Sequence, residues 1–417
     1  MSHNASQQTI EGSQPHWQRT LAILFIGQFV TAVGFSSIFP FLPLYVQKLG
    51  TDTRLSTDFL AGMVYSAQAI TMMIASPFWG ALADRFGRKL MVERATFGGT
   101  LILLLMAFAR SAEELVLLRA IQGLITGTIA ASNAMAASTV PRSHTGYAMG
   151  LLQVGLGGGV ALGPLLGGVI ADAYGYSAAF YVTAAVLFLS GLLIWWGVEE
   201  HFERPAPQTS KKSGLTAGWR DILATPGVPL TYSLRFISQL GRSMILPVAP
   251  LFIQTLLTDP SRLNTFTGLV VGASSATTTL SAGYLGRLGD RIGHQRIIIT
   301  SALAAGLLYL LHSLAFASWQ LLVLQALVGM ALGGIVPSIS ALLARCTQTG
   351  EAGSVYGLDN SIDSAGRSVA PLIGSAIAIA FGLRSTFIAC AVFFLLLSIL
   401  TLRYPQNLSQ QRDKLGE

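Results

Sequence analysis

Apolar residues dominate this chain in long runs, and shorter polar stretches separate the runs. A helix that crosses a membrane needs about 20 mostly apolar residues. Segments of that kind recur along the whole sequence, at residues 21–44, 59–83, 90–109, 115–138, 148–171, 178–197, 228–252, 266–288, 297–317, 319–343, 355–381 and 385–402. The pattern predicts an all-α membrane protein with about twelve transmembrane helices, which we call spans 1 to 12.

The longest polar interruption between spans, residues 198–225, divides them into two sets of six. We therefore predict a tail at 1–18, a six-helix bundle at 19–197, a linker at 198–225, a second six-helix bundle at 226–402 and a tail at 403–417. The N-terminal tail contains no apolar run, so we expect no cleaved signal peptide and expect span 1 to target the chain.

Composition and charge support a membrane location. Hydrophobic residues make up 52% of the 417 positions and charged residues only 11%, whereas soluble domains carry about 25% charged residues. Of the 26 Lys and Arg residues, 17 lie in or beside the segments that would be cytoplasmic if the N-terminus is inside, and five lie in the opposite loops. This positive-inside bias predicts cytoplasmic termini and explains the net charge of +7 without nucleic acid.

The two predicted bundles contain an internal repeat. The segment 80–88, which includes Asp84 and Arg85, recurs at 286–294 with Asp290 and Arg291. The same shift maps Arg119, Gly123 and Gly127 onto Gln325, Gly329 and Gly333, and a shift longer by one position maps Gly159 and Pro164 onto Gly366 and Pro371. Two equivalent halves that rock around a midplane site are the architecture of alternating access.

Three motifs in the first half carry a family resemblance. Residues 80–89 are similar to the loop signature between the second and third helices of the major facilitator superfamily, and Leu115 to Gly123 resembles its fourth-helix signature. A period-four glycine series in span 5 resembles the fifth-helix signature of its antiporter branch; its members are Gly155, Gly159, Gly163, Pro164 and Gly167. With Pro40 and Pro43 in span 1, the whole chain resembles the twelve-helix drug:proton antiporters of bacteria.

The loop motif has a physical interpretation of its own. Asp84, at the predicted cytoplasmic end of span 2, can pair with cations or with the positive end of a facing helix, and so hold a gate in one conformation. The alternative is an ordinary positive-inside turn. The predicted gating residues are Gly80, Asp84, Arg85, Gly87, Arg88 and Lys89, with Asp290 and Arg291 in the repeat.

The glycines of span 5 lie on one helix face because their period is four. Glycine lets helices approach closely, and Pro164 permits a bend. This face is therefore predicted to pack tightly against a neighbour. The family resemblance, rather than the packing, implies the direction of export.

Ionisable residues inside spans are costly, at about 2.5–3.5 kcal/mol each on the insertion scale, and they mark functional sites. Asp359, Asp363 and Arg367 are spaced i, i+4, i+8 on span 11, so they share one face. Either carboxylate could carry a proton, tuned by Arg367 or by Arg119 on span 4. We expect Asp363 first, because it is a mid-depth carboxylate next to Arg367. The alternative is a static ion pair between Asp363 and Arg367.

Further polar residues lie on the spans that, by the family resemblance, line the central path. These candidate cavity residues are Gln28, Gln122, Arg235, Gln239, Arg242 and Gln325. Four Arg against two Asp inside the spans favour an anionic solute, whereas the resemblance implies mixed hydrophobic drugs. Either arginine of span 7 could instead only snorkel to an interface.

Together with the ionisable residues in the spans, the family resemblance implies a proton-coupled exporter of small organic compounds, drugs or toxic metabolites, in the inner membrane of a bacterium. The alternative is an exporter of a native anionic metabolite such as a carboxylate siderophore; an intramembrane enzyme or a non-transporting sensor are remote alternatives. No Gly-Lys phosphate loop occurs, and Cys346 and Cys390 form no metal motif. We expect no cofactor or metal, no nucleic acid, a lipid bilayer around the chain, and function as a monomer.

Overall fold

The computed structural model describes residues 17–125, 127, 132, 135–136, 140–141, 144–198, 224–225, 227–346 and 352–403. Both predicted tails, most of the predicted linker, and much of residues 126–143 in and after span 4 lie outside these ranges. In the first half of the chain the described α-helices are α1 (Trp17–Ser37), α2 (Leu42–Leu49), α3 (Thr57–Phe86), α4 (Arg88–Met106), α5 (Ala112–Ile125), α6 (Thr145–Tyr174) and α7 (Tyr176–Gly197). Those of the second half are α8 (Val228–Ser243), α9 (Val248–Leu256), α10 (Leu263–Ile292), α11 (His294–Ser313), α12 (Ser318–Leu332), α13 (Ile335–Cys346), α14 (Ala352–Phe381) and α15 (Leu383–Leu402).

Apart from span 4, which is only partly described, the helices follow the predicted spans, and three of these spans are broken in two. Span 1 becomes α1 and α2 joined by a 3-10 turn at Phe39–Phe41, span 7 becomes α8 and α9, and span 10 becomes α12 and α13. Proline causes the first two breaks, because Pro40, Pro43 and Pro247 cannot donate the backbone hydrogen bond that a continuing helix needs. Helices α3, α6 and α10 extend beyond the predicted bounds at both ends.

Nine helical stretches of the described chain are long and apolar enough to cross a membrane by length and composition. Helix α4 is not among them because Arg88, Lys89, Glu93 and Arg94 crowd its first two turns. Helix α10 is not among them either, and it contains many Gly, Ser and Thr residues.

The internal repeat is visible in where the helices begin. The shift that relates the two copies of the loop motif also carries the starts of α3, α4 and α5 onto those of α10, α11 and α12, and the shift longer by one position carries α6 and α7 onto α14 and α15. Side-chain bonds repeat as well: Thr71 Oγ1 donates to the carbonyl of Ala120 at 2.7 Å, and Thr277 Oγ1 to that of Ala326 at 2.8 Å. The two halves of the sequence therefore form two similar helical bundles.

Within each half, the helices pack in corresponding pairs. In the first half α1 lies against α6 and α7, α3 against α5, and α4 against α7; in the second half α8 lies against α14 and α15, α10 against α12, and α11 against α15. The halves meet mainly along two helix pairs, α6 with α10 and α3 with α14.

The two halves are closest at one end of these pairs, where α3 and α10 begin and α6 and α14 finish. A Cβ added at Gly62 of α3 would lie 2.8 Å from the carbonyl oxygen of Pro371 in α14, and one at Gly268 of α10 would overlap the carbonyl of Pro164 in α6. Toward the other end, a Cβ at Gly150, Gly283 or Gly357 meets no described atom within 4 Å. We call these the closed end and the open end.

Candidate substrate and proton site

Two aspartates and three arginines inside the predicted spans come together between α8 and α14. Arg235, Gln239 and Arg242 share one face of α8 because they are spaced i, i+4, i+7, and this face packs on the Asp359, Asp363 and Arg367 stripe of α14. The sequence predicted each stripe. Their contact across the bundle is a property of the tertiary structure.

Asp359 is buried, with 4% of its surface exposed, and it pairs with Arg235. Arg235 Nη2 donates to its Oδ2 at 2.8 Å. The other carboxylate oxygen, Oδ1, is buried and has no hydrogen-bond partner among the described residues. Asp359 therefore depends on a single arginine for its ionic contact in the described structure.

Asp363 lies one turn further along α14 and contacts three guanidinium groups. Arg367 Nε donates to its Oδ2 at 2.8 Å, and Arg242 Nη2 and Arg235 Nε lie 3.8 and 3.9 Å from its Oδ1. The pair with Arg367 is the one that the i, i+4 spacing predicted. The two contacts from α8 were not predicted from local spacing, since they cross between helices.

Gln239 connects the cluster to the rest of α8. Its Oε1 accepts a bond from Arg242 Nη2, and its Nε2 donates to Ser243 Oγ at 2.7 Å. The cluster therefore has three cations, two anions and a buried amide, with a formal charge of +1 when both carboxylates are ionised.

Arg367 shows that part of the cluster faces water. Its side chain is 52% exposed, although it lies at the middle of the 30-residue helix α14. A guanidinium exposed to hydrocarbon at that depth is strongly unfavourable, so its exposed side must line a water-filled space.

The first half holds a buried guanidinium on α5. Arg119 is 1% exposed; its Nε donates to the carbonyl of Val64 at 3.1 Å and its Nη1 to Gln122 Oε1 at 2.6 Å, and its charge lies over the Phe39 ring. Among the described residues no carboxylate forms an ion pair with it. The expectation that Arg119 tunes an aspartate of α14 therefore finds no support in this geometry, because Arg235 occupies that position.

The other predicted cavity residues are bound within their own halves. Gln28 Nε2 donates to the carbonyl of Leu152 at 3.3 Å, which joins α1 to α6. Gln325 Nε2 lies 3.4 Å from Ser274 Oγ, which joins α12 to α10. Both are polar cross-links between helices, in addition to any role toward a substrate.

The loop motif lies at the open end. Lys89 Nζ donates to the carbonyl of Trp195 at 2.8 Å and lies 3.6 Å from Glu93. The side-chain surroundings of Gly80 and Asp84, two predicted gating residues, lie outside what the structure describes. Gly87 has φ 98°, a conformation that glycine adopts readily, and Gly293 repeats it with φ 97°.

The second copy of the motif contains a histidine that was not among the predicted gating residues. His294 Nε2 lies 3.1 Å from Asp290 Oδ1, and its Nδ1 lies 3.4 Å from Ser338 Oγ of α13. Asp290 therefore contacts its own half here. Position 294 corresponds to Arg88 in the repeat, so the internal alignment contained the signal that a second basic group follows Asp290.

The span 5 glycines pack against α1 in the same half. Ser36 Oγ donates to the carbonyl of Gly159 at 3.1 Å, and an added Cβ at Gly155 would lie 3.0 Å from the Phe25 ring. Gly163 and Gly167 likewise meet Ser36 and Ser37.

The contact of α6 with the other half uses a different face of the helix. That face contains Gly157, the Pro164 carbonyl and Gly168, which lie against α10. The predicted tight packing of the glycines in the series is therefore found within the first half, whereas the inter-half contact is made by Pro164 of the motif and by residues outside it.

A polar contact at the closed end was also missed. Asp172, in the last turn of α6, accepts from the backbone N–H of Asn264 at 3.1 Å, from its Nδ2 at 2.7 Å and from the N–H of Thr265 at 2.7 Å. The backbone donors are the unpaired N–H groups at the start of α10, where the helix dipole is positive. The sequence signal was a single acid at the end of span 5 opposite the start of span 8.

Two similar helical bundles that meet at one end and separate toward the other, with a charged mid-depth cluster inside the second bundle, are the architecture of a secondary transporter. In the described residues no group of three His, Cys, Asp or Glu side chains could hold a metal ion.

Comparisons with known proteins agree with this class. The sequence profile of the Major Facilitator Superfamily matches residues 24–234 and 231–415. The multidrug resistance protein MdtG of Salmonella arizonae is 36% identical over 401 residues, which cover 95% of this chain and 97% of that protein. The nucleoside transporter NupG has the same fold, with a TM-score of 0.79 at 13% identity over 92% of this chain and 99% of that one.

A bacterial homologue of the human lysosomal transporter Spinster, in an inward-facing and occupied conformation, also shares the fold, with a TM-score of 0.78 at 14% identity over 95% of this chain and 99% of that one. The chain belongs to the Major Facilitator Superfamily. It is a multi-pass membrane transporter of a small-molecule substrate and not an enzyme.

Proposed function

We propose that this transporter exports small organic compounds, drugs or toxic metabolites, across the bacterial inner membrane in exchange for protons. The observation that carries the proposal is the buried cluster of three arginines and two aspartates between α8 and α14, at the depth where alternating access exposes a site to either side. The multidrug resistance relatives support drugs as the substrate class. Each proton charge that crosses supplies about 2.3 kcal/mol per 100 mV of membrane potential.

In this proposal the halves 19–197 and 226–402 rock against each other, and the linker 198–225 and both termini lie in the cytoplasm. The excess of Lys and Arg on one side supports that orientation. The open end then faces the cytoplasm, the closed end faces outward, and the described conformation is inward-facing. The protein acts as a monomer, because each chain contains both halves of the path.

The decisive experiment uses everted membrane vesicles and a drug that enters them only by transport. Overexpression should raise the resistance of a drug-sensitive host to a panel of lipophilic compounds, and vesicles should accumulate ethidium when their interior is acid. Vesicles from cells without the protein are the control. Accumulation that is unchanged when the pH gradient is dissipated would contradict proton antiport.

The gating role of the loop motif, from Gly80 to Lys89 and at Asp290 and Arg291, is part of the proposal. Asp84→Asn should impair transport far more than Asp58→Asn, because Asp84 would pair with cations in only one conformation and so bias the two-state balance. Cysteine labelling from both sides of the membrane reports the bias. An unchanged labelling pattern would leave Asp84 a static anchor.

The formal charge of +1 at the cluster favours a second candidate, export of a native anionic metabolite such as a carboxylate siderophore. Arg235→Gln and Arg242→Gln should then weaken export of an anion more than that of a neutral solute, by roughly ten- to a hundredfold for a charge-assisted bond of about 1.5–3 kcal/mol. Comparing solutes retained by deletion and wild-type cells would identify the anion. Affinities for an anionic and a cationic solute that are the same in the wild type and in both variants would exclude it.

A further inference from the structure

We propose that Asp359, and not Asp363, is the carboxylate that takes up and releases the proton, and that Arg235 is a positioning residue that moves between the two. This assignment rests on the proton antiport proposed above. The sequence alone favoured Asp363, because it lies deeper in span 11 and its neighbour Arg367 is at i+4. The contacts across the bundle reverse that preference.

The two carboxylates differ first in how many cations hold them. Nearby opposite charges favour the ionised form of a carboxylate, and burial favours the neutral form. Asp363 has three guanidinium groups within 4 Å, so it still has two if one contact is lost. Asp359 is also buried, but Arg235 is its one described ion-pair partner. If that contact is lost, Asp359 is a buried carboxylate without a cation, and burial favours its protonated form.

No other described group replaces Arg235. Asp363 is the other charge on α14 near Asp359, and on α8 the phenol of Tyr232 is bonded to the Val355 carbonyl at 2.9 Å. Helices α3, α9 and α15 also pack on α14; their ionisable residues are Asp58, Tyr65, Asp84 and Arg85 on α3 and Arg384 and Cys390 on α15. Among the described side chains, none of these forms an ion pair with Asp359.

Arg235 is placed to change partners. Its Nη2 contacts Asp359 while its Nε lies 3.9 Å from Asp363, and its Nη1 is buried without a hydrogen-bond partner among the described residues. Oδ1 of Asp359 has no hydrogen-bond partner among the described residues, so a proton can bind there without displacing another group. The carboxylate then becomes a neutral acid. Its attraction for Arg235 then falls, and the guanidinium moves fully onto Asp363. Release of the proton reverses the exchange.

Position along the helix supports the same assignment. Asp359 lies about 10 Å from the start of α14, at 1.5 Å per residue, and Asp363 about 16 Å. Gly357, Asn360 and Ser361, which surround Asp359 on the helix, are exposed. Asp359 therefore lies nearer to the open end than Asp363 and has exposed residues around it on the helix.

The test reads the carboxyl group itself. Infrared difference spectra of the purified protein, recorded between acid and alkaline pH, show the carbonyl stretch of a protonated buried carboxyl. We expect this band in the wild type, its loss in Asp359→Asn, and its return, shifted, in Asp359→Glu. Asp58→Asn, which removes an acid at the far end of α3, is the matched control and should keep the band.

The single variant Asp363→Asn leaves three arginines facing one carboxylate and can fail to fold. The variant compared with Asp359→Asn is therefore Asp363→Asn/Arg367→Gln, in which the formal charge of the cluster stays at +1. This variant should keep the band. A band that survives in Asp359→Asn and disappears in the double variant would overturn the assignment, as would the absence of any titrating band in the wild type.

Ethidium accumulation in vesicles, measured on the same proteins, tests the proposed function separately. Wild type that shows the Asp359 band but moves no ethidium under a pH gradient would contradict drug antiport and leave the assignment of the proton site standing. Accumulation that persists at wild-type level in Asp359→Asn would overturn the assignment and leave antiport standing.

Discussion

The two halves have the same arrangement of helices but differ in whether their buried charged side chains form ion pairs. In the first half Arg119 is fully buried, bonded to the Val64 carbonyl and to Gln122, and no described carboxylate balances it. In the second half five charged side chains form a connected ion-pair cluster between α8 and α14. The difference is consistent with the proposal that the proton-binding carboxylate lies in the second half, and the first half has a buried guanidinium with no described ion-pair partner.

The closed end shows a second asymmetry between related contacts. Asp172 of α6 holds the start of α10 with three hydrogen bonds across the two halves. The start of α3 is held within its own half, where Ser56 Oγ accepts from the N–H of Phe59 at 3.3 Å, and α3 meets α14 by close approach at Gly62. Of these two contacts between the halves, the described structure gives a charged bond only to the one at α10.

The largest expected effect comes from breaking the charge balance of the cluster. Asp363→Asn leaves Arg235, Arg242 and Arg367 with only Asp359, and removing one partner of a buried ion network costs about 3–5 kcal/mol. We expect a large fall in the amount of monodisperse protein after detergent extraction and in its unfolding temperature. Asp363→Asn/Arg367→Gln should recover most of the loss; an equal loss in both variants would mean that charge balance is not the cause.

The next effect tests the charged bond at the closed end. Asp172→Asn removes the negative charge at the start of α10 and should shift the population away from this conformation by about 1–3 kcal/mol, or roughly 5- to 150-fold. Spin labels at the exposed residues Tyr174 and Arg262, in a background without Cys346 and Cys390, report the distance between α6 and α10.

Asp58→Asn is the matched control for that measurement, because Asp58 is the repeat equivalent of Asn264 and makes no bond to the other half in the described structure. It should leave the distance distribution unchanged. A distribution that is the same in Asp172→Asn and wild type would show that packing alone closes this end.

A smaller effect is expected in the first half. Arg119→Met keeps the length of the side chain and removes a buried charge that no described carboxylate balances, so the gain in desolvation offsets the lost hydrogen bonds. The free energy of unfolding should change by less than about 1 kcal/mol. Thermal unfolding in detergent measures this, and strong destabilisation would show that the guanidinium has an anionic partner beyond the described residues.

The smallest effect concerns a loop at the closed end. Glu113 accepts bonds from Thr51 Oγ1 at 2.5 Å and Thr53 Oγ1 at 2.7 Å, and these bonds lower its pKa to about 2 from the ordinary 4.5. Since the folded pKa is depressed, the contribution of Glu113 is complete above about pH 4.5 and is lost as the pH falls toward about 2.

Amide exchange of residues 50–56 should therefore keep its neutral-pH protection at pH 5, after correction for intrinsic rates. Glu113→Gln should raise exchange severalfold at both pH values, whereas Glu114→Gln, which removes the neighbouring acid, should raise it less. Protection that falls between pH 7 and pH 5 in the wild type would contradict the low pKa.

The sequence by itself determined the class of fold, because insertion into a membrane depends on local properties of the chain. These are the length of each apolar run and the distribution of Lys and Arg between the loops on the two sides. It also determined the repeat, since the motifs of the first half recur in the same order in the second. It identified the faces of α8 and α14 by their spacing, and the pair of Asp363 with Arg367, because an i, i+4 spacing on a helix brings two side chains together.

Only the tertiary structure decided which charges meet across helices. Arg235 and Asp359 lie far apart in the chain, on α8 and α14, and no local pattern states that their faces oppose each other or that Asp363 collects three arginines. The same holds for Asp172 and the start of α10, where each partner alone looks like an ordinary loop residue. Electrostatic interaction depends on distance in space, and that distance is fixed by how the helices and bundles pack and not by the order of residues along the chain.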